Sequence, residues 1–392
     1  MSQPTEATAE PSLRDGLRPC IATFIGVRIG LILLAAVATG LFPAREAVSV
    51  PGWIAPPMGH AWHNIFTVLE RQDALWFLRI ATTGYARADG SAAFFPLYPL
   101  LVRAVSWIVG GHPLLAATLV SNLAFFGSLL VLYELTVREL SEAVARRTIV
   151  YLAVFPTAFF FFAPYSESTF LLLVLVAFRQ ARRDRWATAA AAGALAALTR
   201  SIGVVLAPAL IVMAFEQHRA HGGPLWPRVT AGAAVLLGPL AYLGWWGVAH
   251  GESLAPLQAQ ANWQREASSP LSTVWRAVRM AFGGLGVQDP GYWIIDVLVV
   301  GVVIVAVMAG LRRLPASYVI YSLASLLIPL SYPFPSRPLL SMPRFVVVIF
   351  PAFWVMADAA ERRRIPHTAI VAASAAGYGL LAVLFMNWWY IF

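Results

Sequence analysis

The stretch Arg71-Gln72-Asp73-Ala74-Leu75-Trp76-Phe77-Leu78, followed by Gly84-Tyr85 and Phe94-Phe95-Pro96-Leu97-Tyr98-Pro99, sets one carboxylate among aromatic side chains. It lies in the long gap between the first apolar run and the rest of the chain. Transfer of a sugar from a phosphate ester to a hydroxyl needs a general base beside that hydroxyl, and a single carboxylate serves. It also needs cations or dipoles facing the departing phosphate. A carboxylate just outside a bilayer, next to a surface that takes a lipid tail, suits a donor carried on a lipid phosphate.

Asp73 is the strongest base candidate. Glu70, Arg71 and Arg79 stand near it, and Trp76 follows. At helical spacing Ala74, Phe77, Leu78 and Ala81 form one apolar face, suited to an interfacial helix that Asp73 adjoins. The bland alternative is a solvated acid at a helix N-terminus, favoured by the dipole. Glu167 follows a Pro-Tyr-Ser turn and opens an apolar run. Either it or Ser166 simply caps that helix, or it is an ionisable group working at membrane depth. Arg200 has apolar runs on both sides and needs an anion there. Glu167 would make a structural pair; the phosphate of a lipid-linked donor would fit the guanidinium fork. Arg344, in Ser341-Met342-Pro343-Arg344-Phe345, stands at the outer mouth of a span, facing donor phosphate or lipid headgroups. Asn262, Trp263, Gln264, Arg265 and Glu266, in the second long loop, are candidate acceptor contacts, though any exposed loop looks similar. His60 and His63 have no third ligand nearby, so no metal site is expected. A phosphate-cradling Gly-rich loop and a nucleophile elbow are both absent from the sequence.

The elements that position these residues are set by composition. The chain is 59% hydrophobic and 12% charged, unlike a soluble domain of 392 residues. Several apolar runs reach the roughly 18–20 residues that a spanning helix requires. Alternating ten-residue patterns are missing, which favours helices over a barrel. The expected fold is all-α and polytopic. A disordered cytoplasmic tail, 1–18, precedes one membrane domain, 19–392, with long outer loops near 43–112 and 250–291. The net charge of +9 does not imply nucleic acid, because the basic residues form short clusters between apolar runs. All 28 are Arg, which reflects genome composition. The single cysteine, Cys20, excludes an internal disulfide. The first run, Ile21 to Phe42, exceeds a signal-peptide core and reads as a retained helix. Arg28 inside it either snorkels or faces the bundle.

Orientation turns on the run 93–110. If it lies in the interface or re-enters, five clusters fall inside: Arg138/Arg146/Arg147, Arg179/Arg182/Arg183/Arg185, Arg219/Arg228, Arg312/Arg313 and Arg362/Arg363/Arg364. This choice gives about eleven spans, 19–42, 113–136, 148–163, 165–178, 187–200, 202–215, 229–249, 292–311, 316–332, 344–358 and 367–390. The C-terminus is then outside, with Trp388-Trp389-Tyr390 as an aromatic belt. The outer acids are Glu46, Glu70, Asp73, Asp89, Glu167, Glu252, Glu266, Asp289 and Asp296. The runs between 148 and 215 are short. Their turns, Pro164 to Glu167 and Thr199 to Gly203, would face a cavity below the surface.

Three motifs in order carry a resemblance. Asp73 with Phe77-Leu78-x-Ile80-Ala81 and Gly84-Tyr85, then Ala93-Phe94-Phe95-Pro96 with Pro99, precede Tyr165-Ser166-Glu167 and Arg200-Ser201-x-Gly203. Together they resemble the PIG-V family, whose eukaryotic members add the second mannose of the GPI anchor. The resemblance implies a GT-C membrane glycosyltransferase acting outside the cytoplasmic membrane. It implies a polyprenyl-phosphate sugar donor, here mannose, inversion at the anomeric carbon and no metal or other cofactor. Asp73 matches the family's essential first-loop Asp. Arg71, Trp76, Tyr85 and Tyr165 join Glu167, Arg200 and Arg344 as candidate substrate-binding residues. The family often has Trp before the Asp, where this chain has Gln72. Eukaryotic members often have Asn where this chain has Ile202. Arg and Ala richness points to a bacterium, so the expected acceptor is a glycolipid, lipoglycan or protein rather than a GPI anchor. The rivals are a transporter or lipid flippase, expected to show inverted repeats and polar residues within its spans, and a silent envelope scaffold.

Overall fold

The computed structural model describes residues 14–41, 46–56, 67–87, 89–261, 265–283 and 290–389. His60, His63, Asn262, Trp263, Gln264, Asp289, Tyr390 and most of the N-terminal tail lie outside these. Regular structure among the described residues is helical, apart from two isolated β-bridges, Val50–Trp53 and Phe334–Arg337.

Helix α1 (Leu17–Leu41) is an apolar rod of 25 residues. The first loop holds α2 (Asp73–Thr83) and α3 (Leu97–Ile108). With 12 residues, α3 is roughly 18 Å long, too short to cross roughly 30 Å of hydrocarbon alone. After α4 (Pro113–Glu139) the apolar run 148–163 is not one helix. α5 (Glu142–Ala153) stops ahead of Pro156, a 3-10 turn occupies Ala158–Phe161, and α6 (Glu167–Arg182) starts beyond Pro164. Proline removes a backbone donor and turns the preceding residue away from the helical region. α7 (Trp186–Thr199) ends at Arg200, and a 3-10 turn over Ser201–Val205 feeds α8 (Leu206–His221). α9 (Leu225–Ala233) continues through Ala234–Leu236 into α10 (Leu237–His250). The second interruption contains α11 (Ala255–Ala261) and α12 (Pro270–Phe282). Then come α13 (Pro290–Gly310), α14 (Ala316–Leu330), the short α15 (Met342–Val346), α16 (Phe350–Glu361) and α17 (His367–Met386). The run 344–358 is thus also broken, between α15 and the Pro351 that opens α16.

Among the described residues, six helical segments are long and apolar enough to cross a membrane: Leu17–Leu41, Pro113–Glu139, Ser201–His221, Leu225–His250, Trp293–Gly310 and His367–Met386. α3, α7 and α14 are shorter apolar helices. The chain is a multi-pass, nearly all-helical membrane protein.

The bundle has two chemically distinct ends. At one, Glu134 on α4 receives Arg179 and Arg183 at 3.0 and 2.6 Å, and Arg182 meets Glu139 at 2.8 Å. Arg138 donates to the Arg182 carbonyl, Arg228 to Asp184, Arg147 to Glu361 and Arg362 to Asp358. All five basic clusters of the sequence therefore contribute to this end, with Arg313 lying 3.9 Å from Asp358. Going the other way, Ser128 donates to the Ser168 carbonyl at 3.4 Å and Ser121 to that of Tyr165 at 3.1 Å. α4 and α6 thus run side by side in the same direction, joined by the broken return through α5. Close packing comes from small residues. A Cβ on Gly238 would collide with the Ala194 carbonyl oxygen, so α10 touches the alanine-rich α7 backbone to backbone.

Candidate active site

The far end from the basic clusters is built on α2. Asp73 is its first residue, where the helix dipole favours an acid. Gln72 before it takes a left-handed φ of 52°. The chain can hold that turn because Arg71 is locked beneath it. The buried Arg71 guanidinium donates to the carbonyls of Met386 (3.1 Å), Thr67 (3.0 Å) and Glu70 (2.9 Å). It also lies 4.8 Å from the Trp388 ring. Neighbouring Glu70 accepts from Trp53 Nε1 at 2.9 Å. Burial raises its carboxyl above the ordinary glutamate range, opposed by that hydrogen bond and by Arg71. The Tyr165 hydroxyl donates to the Arg71 carbonyl at 2.8 Å, tying α2 to the start of α6.

The apolar face of α2 is covered by the protein itself. Ala74, Phe77, Leu78 and Ala81 are buried, and so are Leu75 and Ile80. Phe77 meets Phe94, Tyr98 and Tyr165 edge-on, with centroids 5.3, 5.0 and 6.3 Å away. Trp76 stacks on Phe94 at 5.5 Å. Tyr85 donates to the Phe94 carbonyl at 2.7 Å and packs against Tyr242, Trp245 and Trp246 of α10. Trp76 and Tyr85 therefore flank one aromatic wall.

Four charged groups from four elements meet next to it. Glu167, the first residue of α6, is wholly buried. Arg200, in extended backbone where α7 ends, places Nη1 2.5 Å from Glu167 Oε1 and 3.2 Å from Ser166 Oγ. Arg344 of α15 donates Nε to the same Glu167 oxygen and Nη1 to Asp73 Oδ2 at 2.6 Å. Its guanidinium also sits 5.0 Å from the Tyr165 ring and 5.5 Å from that of Phe160. α15 is held there by Thr157, whose hydroxyl donates to the Pro343 carbonyl at 2.7 Å. The chain Asp73–Arg344–Glu167–Arg200 has one open end. The Asp73 side chain is 24% exposed and that of Glu167 is 0% exposed. Chemically, this is an accessible carboxylate beside two guanidiniums whose other carboxylate is fully enclosed.

The structure thus brings together Asp73, Tyr165, Glu167, Arg200 and Arg344, puts Trp76 and Tyr85 on the adjoining wall, and sets Arg71 behind them as an anchor. Of the two partners expected for Arg200, the structure shows Glu167, and the pair forms beside Arg344. Sequence reasoning passed over Phe345, Phe160 and Thr157. Phe345 directly follows Arg344, an aromatic–arginine neighbour that was a usable signal; Thr157 gave none. Among the described residues no three His, Cys, Asp or Glu side chains gather as a metal site.

Gly203 closes the Arg200 motif for a steric reason. A Cβ there would lie 2.6 Å from the Ala197 nitrogen and 2.8 Å from the Ala196 carbonyl carbon. The turn carrying Arg200 must fold tightly back on α7. Gly203→Ala is expected to cost about 3 kcal/mol or more and to lower the unfolding temperature in detergent; an unchanged temperature would show the turn can yield.

No curated protein sequence matches this chain significantly. By structure, it resembles ArnT from Cupriavidus metallidurans bound to undecaprenyl phosphate, with TM-score 0.51, 14% identity, and coverage of 95% of this chain and 76% of that one. The apo form of ArnT gives TM-score 0.50, 15% identity and the same coverage. The oligosaccharyltransferase AglB from Archaeoglobus fulgidus, in complex with an inhibitory peptide and a dolichol-phosphate, gives 0.42, 11%, 93% and 55%. The ArnT likeness shows a GT-C fold. A family model described as mannosyltransferase (PIG-V) matches residues 21–220, just over half of the sequence. That span carries Asp73, Glu167 and Arg200 in one match, and on it the chain belongs to the PIG-V mannosyltransferase family, a family of membrane glycosyltransferases.

Proposed function

We propose that this enzyme moves mannose from polyprenyl-phosphate mannose to a hydroxyl of a glycolipid, lipoglycan or protein. The reaction takes place on the extracytoplasmic face of the inner membrane. The observation that carries the proposal is the bond between the accessible Asp73 and Arg344, backed by Glu167 and Arg200. Asp73 Oδ2 is engaged by Arg344, which leaves Oδ1 to accept the acceptor's proton. As that hydroxyl attacks the mannose C1, the C1–O bond to phosphate breaks with inversion, and its electron pair stays on the phosphate oxygen. Arg344 and Arg200 would bind that phosphate. Trp76 and Tyr85 would supply sugar-facing aromatic surface, while the buried Tyr165 and Arg71 would act as positioning residues for Arg344 and Asp73. The lipid-linked donor is a co-substrate, and no cofactor enters the scheme.

Other features support the reading. ArnT has been seen with a polyprenyl phosphate. An apolar cavity of about 300 Å³ between α1 and α17 is lined by Leu34, Val37, Leu380, Val383 and Leu384. It reaches Asn387, beside the Met386 carbonyl that anchors Arg71, and offers space for prenyl units. The basic clusters gathered at the opposite end suit a cytoplasmic surface.

The test is transfer by purified protein in sealed vesicles holding polyprenyl-phosphate mannose, with envelope lipids as acceptors. Release of polyprenyl phosphate together with a mannosylated product is expected, and only when acceptor is supplied on the extracytoplasmic side. Lipid movement without bond cleavage would replace this reading with a flippase.

A further inference from the structure

α12 has three chemically different faces. Thr273, Ala277 and Ala281, spaced four residues apart, are buried where the helix packs on α13 and α14. Leu271, Trp275 and Phe282 share the next face and are 83%, 64% and 65% exposed, with the partly buried Val278 between them. Arg276 and Arg279 are exposed along the third face, roughly a quarter turn further round. No acid lies on α12 or α14, and Asp296, the one acid on α13, is held by Arg337 at 2.7 Å. Among the described residues neither the Arg276 nor the Arg279 side chain has an ion pair or a hydrogen-bond partner.

The helix starts at the active-site end of the bundle. Its leading segment pairs with the chain that follows α14, through Ser268 N–H to the Ser331 carbonyl at 2.9 Å and Glu266 N–H to that of Pro333 at 3.2 Å. Arg265, just ahead of it, lies 5.7 Å from the Phe345 ring. With 13 residues α12 is roughly 20 Å long, short of the roughly 30 Å of hydrocarbon. The helix it packs on, α13, is long and apolar enough to cross, and exposes Leu298, Val302 and Val305. The open apolar face of α12 thus adjoins a helix whose own open face suits lipid. A short helix with Trp and Leu on one side and arginines beside them is the pattern of a helix seated in the membrane interface. We propose that α12 selects anionic phospholipid in the leaflet on the active-site side. Leu271, Trp275 and Phe282 enter the acyl region, and Arg276 and Arg279 hold the headgroup phosphate. A choline headgroup brings its own cation next to the phosphate, whereas a glycerol headgroup leaves the charge for the guanidiniums. This role of α12 is independent of which donor the active site takes.

The only natural cysteine, Cys20, is buried, so Leu271→Cys can be labelled alone with a nitrobenzoxadiazole dye on an open position that packs against nothing. The full chain is placed in nanodiscs holding an equal fraction of either phosphatidylglycerol or phosphatidylcholine spin-labelled on the acyl chain. Iodide serves as the aqueous quencher. An arginine beside an anionic surface strengthens attachment roughly fivefold. Lipid should therefore quench the dye and iodide should not, and phosphatidylglycerol should be preferred over phosphatidylcholine roughly fivefold or more. In the double variant Arg276→Gln with Arg279→Gln the two lipids should quench alike. Quenching by iodide alone would place the face in water and overturn the proposal. Protection from iodide and from both lipids would mean that protein covers it, a second copy or another chain, and would overturn it too. Equal quenching by the two lipids before the arginines are changed, or a preference that outlasts their loss, would remove Arg276 and Arg279 as the selecting groups.

Discussion

Asp73→Asn is expected to lose transfer by roughly 100-fold to 10,000-fold, the span typical of a removed general base, while the protein stays folded. Asn preserves the shape and an acceptor for Arg344 Nη1, now 2.6 Å away, but cannot take a proton at neutral pH. The stability cost is small because the pair is partly open: the Asp73 side chain is 24% exposed, so water already screens it. Pairs of that kind contribute on the order of 1 kcal/mol or less. Glu167 remains as a counter-charge for Arg344. Donor binding should fall little, or even rise, because Arg344 loses a competing anion. The measurement is steady-state transfer together with thermal unfolding in the same detergent. Turnover at the wild-type rate would remove Asp73 from the chemistry, whereas a collapse of stability would make it a structural acid.

Much of this site is legible in the sequence. Asp73, Glu167 and Arg200 stand out because a charge amid apolar sequence must have a partner. The five basic clusters were enough to gather one end of the bundle. The missing part was contact over distance. Asp73 and Arg344 are 271 residues apart, and nothing local in Ser341-Met342-Pro343-Arg344-Phe345 says which acid it will meet. Arg344 read equally well as a headgroup ligand. Arg71 was a candidate substrate-binding residue through the family resemblance. Its side chain instead turns inward, to carbonyls at Met386, Thr67 and Glu70, and only the fold of the C-terminal helix creates the first of these. Hydropathy reports how apolar a segment is, not whether it is continuous. The runs 148–163 and 344–358 looked like spans, yet proline chemistry divides them, and the breaks are what set α6 and α15 to aim Glu167 and Arg344 at one point. Residues 250–291 read as loop because α12 is short and amphipathic, with Leu271 and Trp275 exposed beside arginines.

Glu167→Gln should lose the stability that Asp73→Asn keeps, and the contrast separates scaffold from chemistry. Glu167 is 0% exposed and one of its oxygens receives both Arg200 and Arg344. Gln keeps the volume and removes the charge. Two guanidiniums from different elements then face each other in a low-dielectric site with one anion fewer. Breaking a buried pair on one side costs about 3–5 kcal/mol, because the remaining charge is left without compensation. Here two cations lose their shared partner, so the upper part of that range applies, and the unfolding temperature should fall by roughly 5 °C or more. Activity should fall too, since the positions of Arg344 and Arg200 depend on the shared oxygen. The double variant Glu167→Gln with Arg200→Gln removes one stranded cation and should recover part of the stability, by an interaction term of roughly 0.5–3 kcal/mol. Transfer should stay low in it, because a phosphate ligand is gone. A Glu167→Gln protein as stable as the wild type would mean that the bridge adds nothing to the fold. Glu167 would then have to be placed with Asp73 among the reacting groups rather than beneath them.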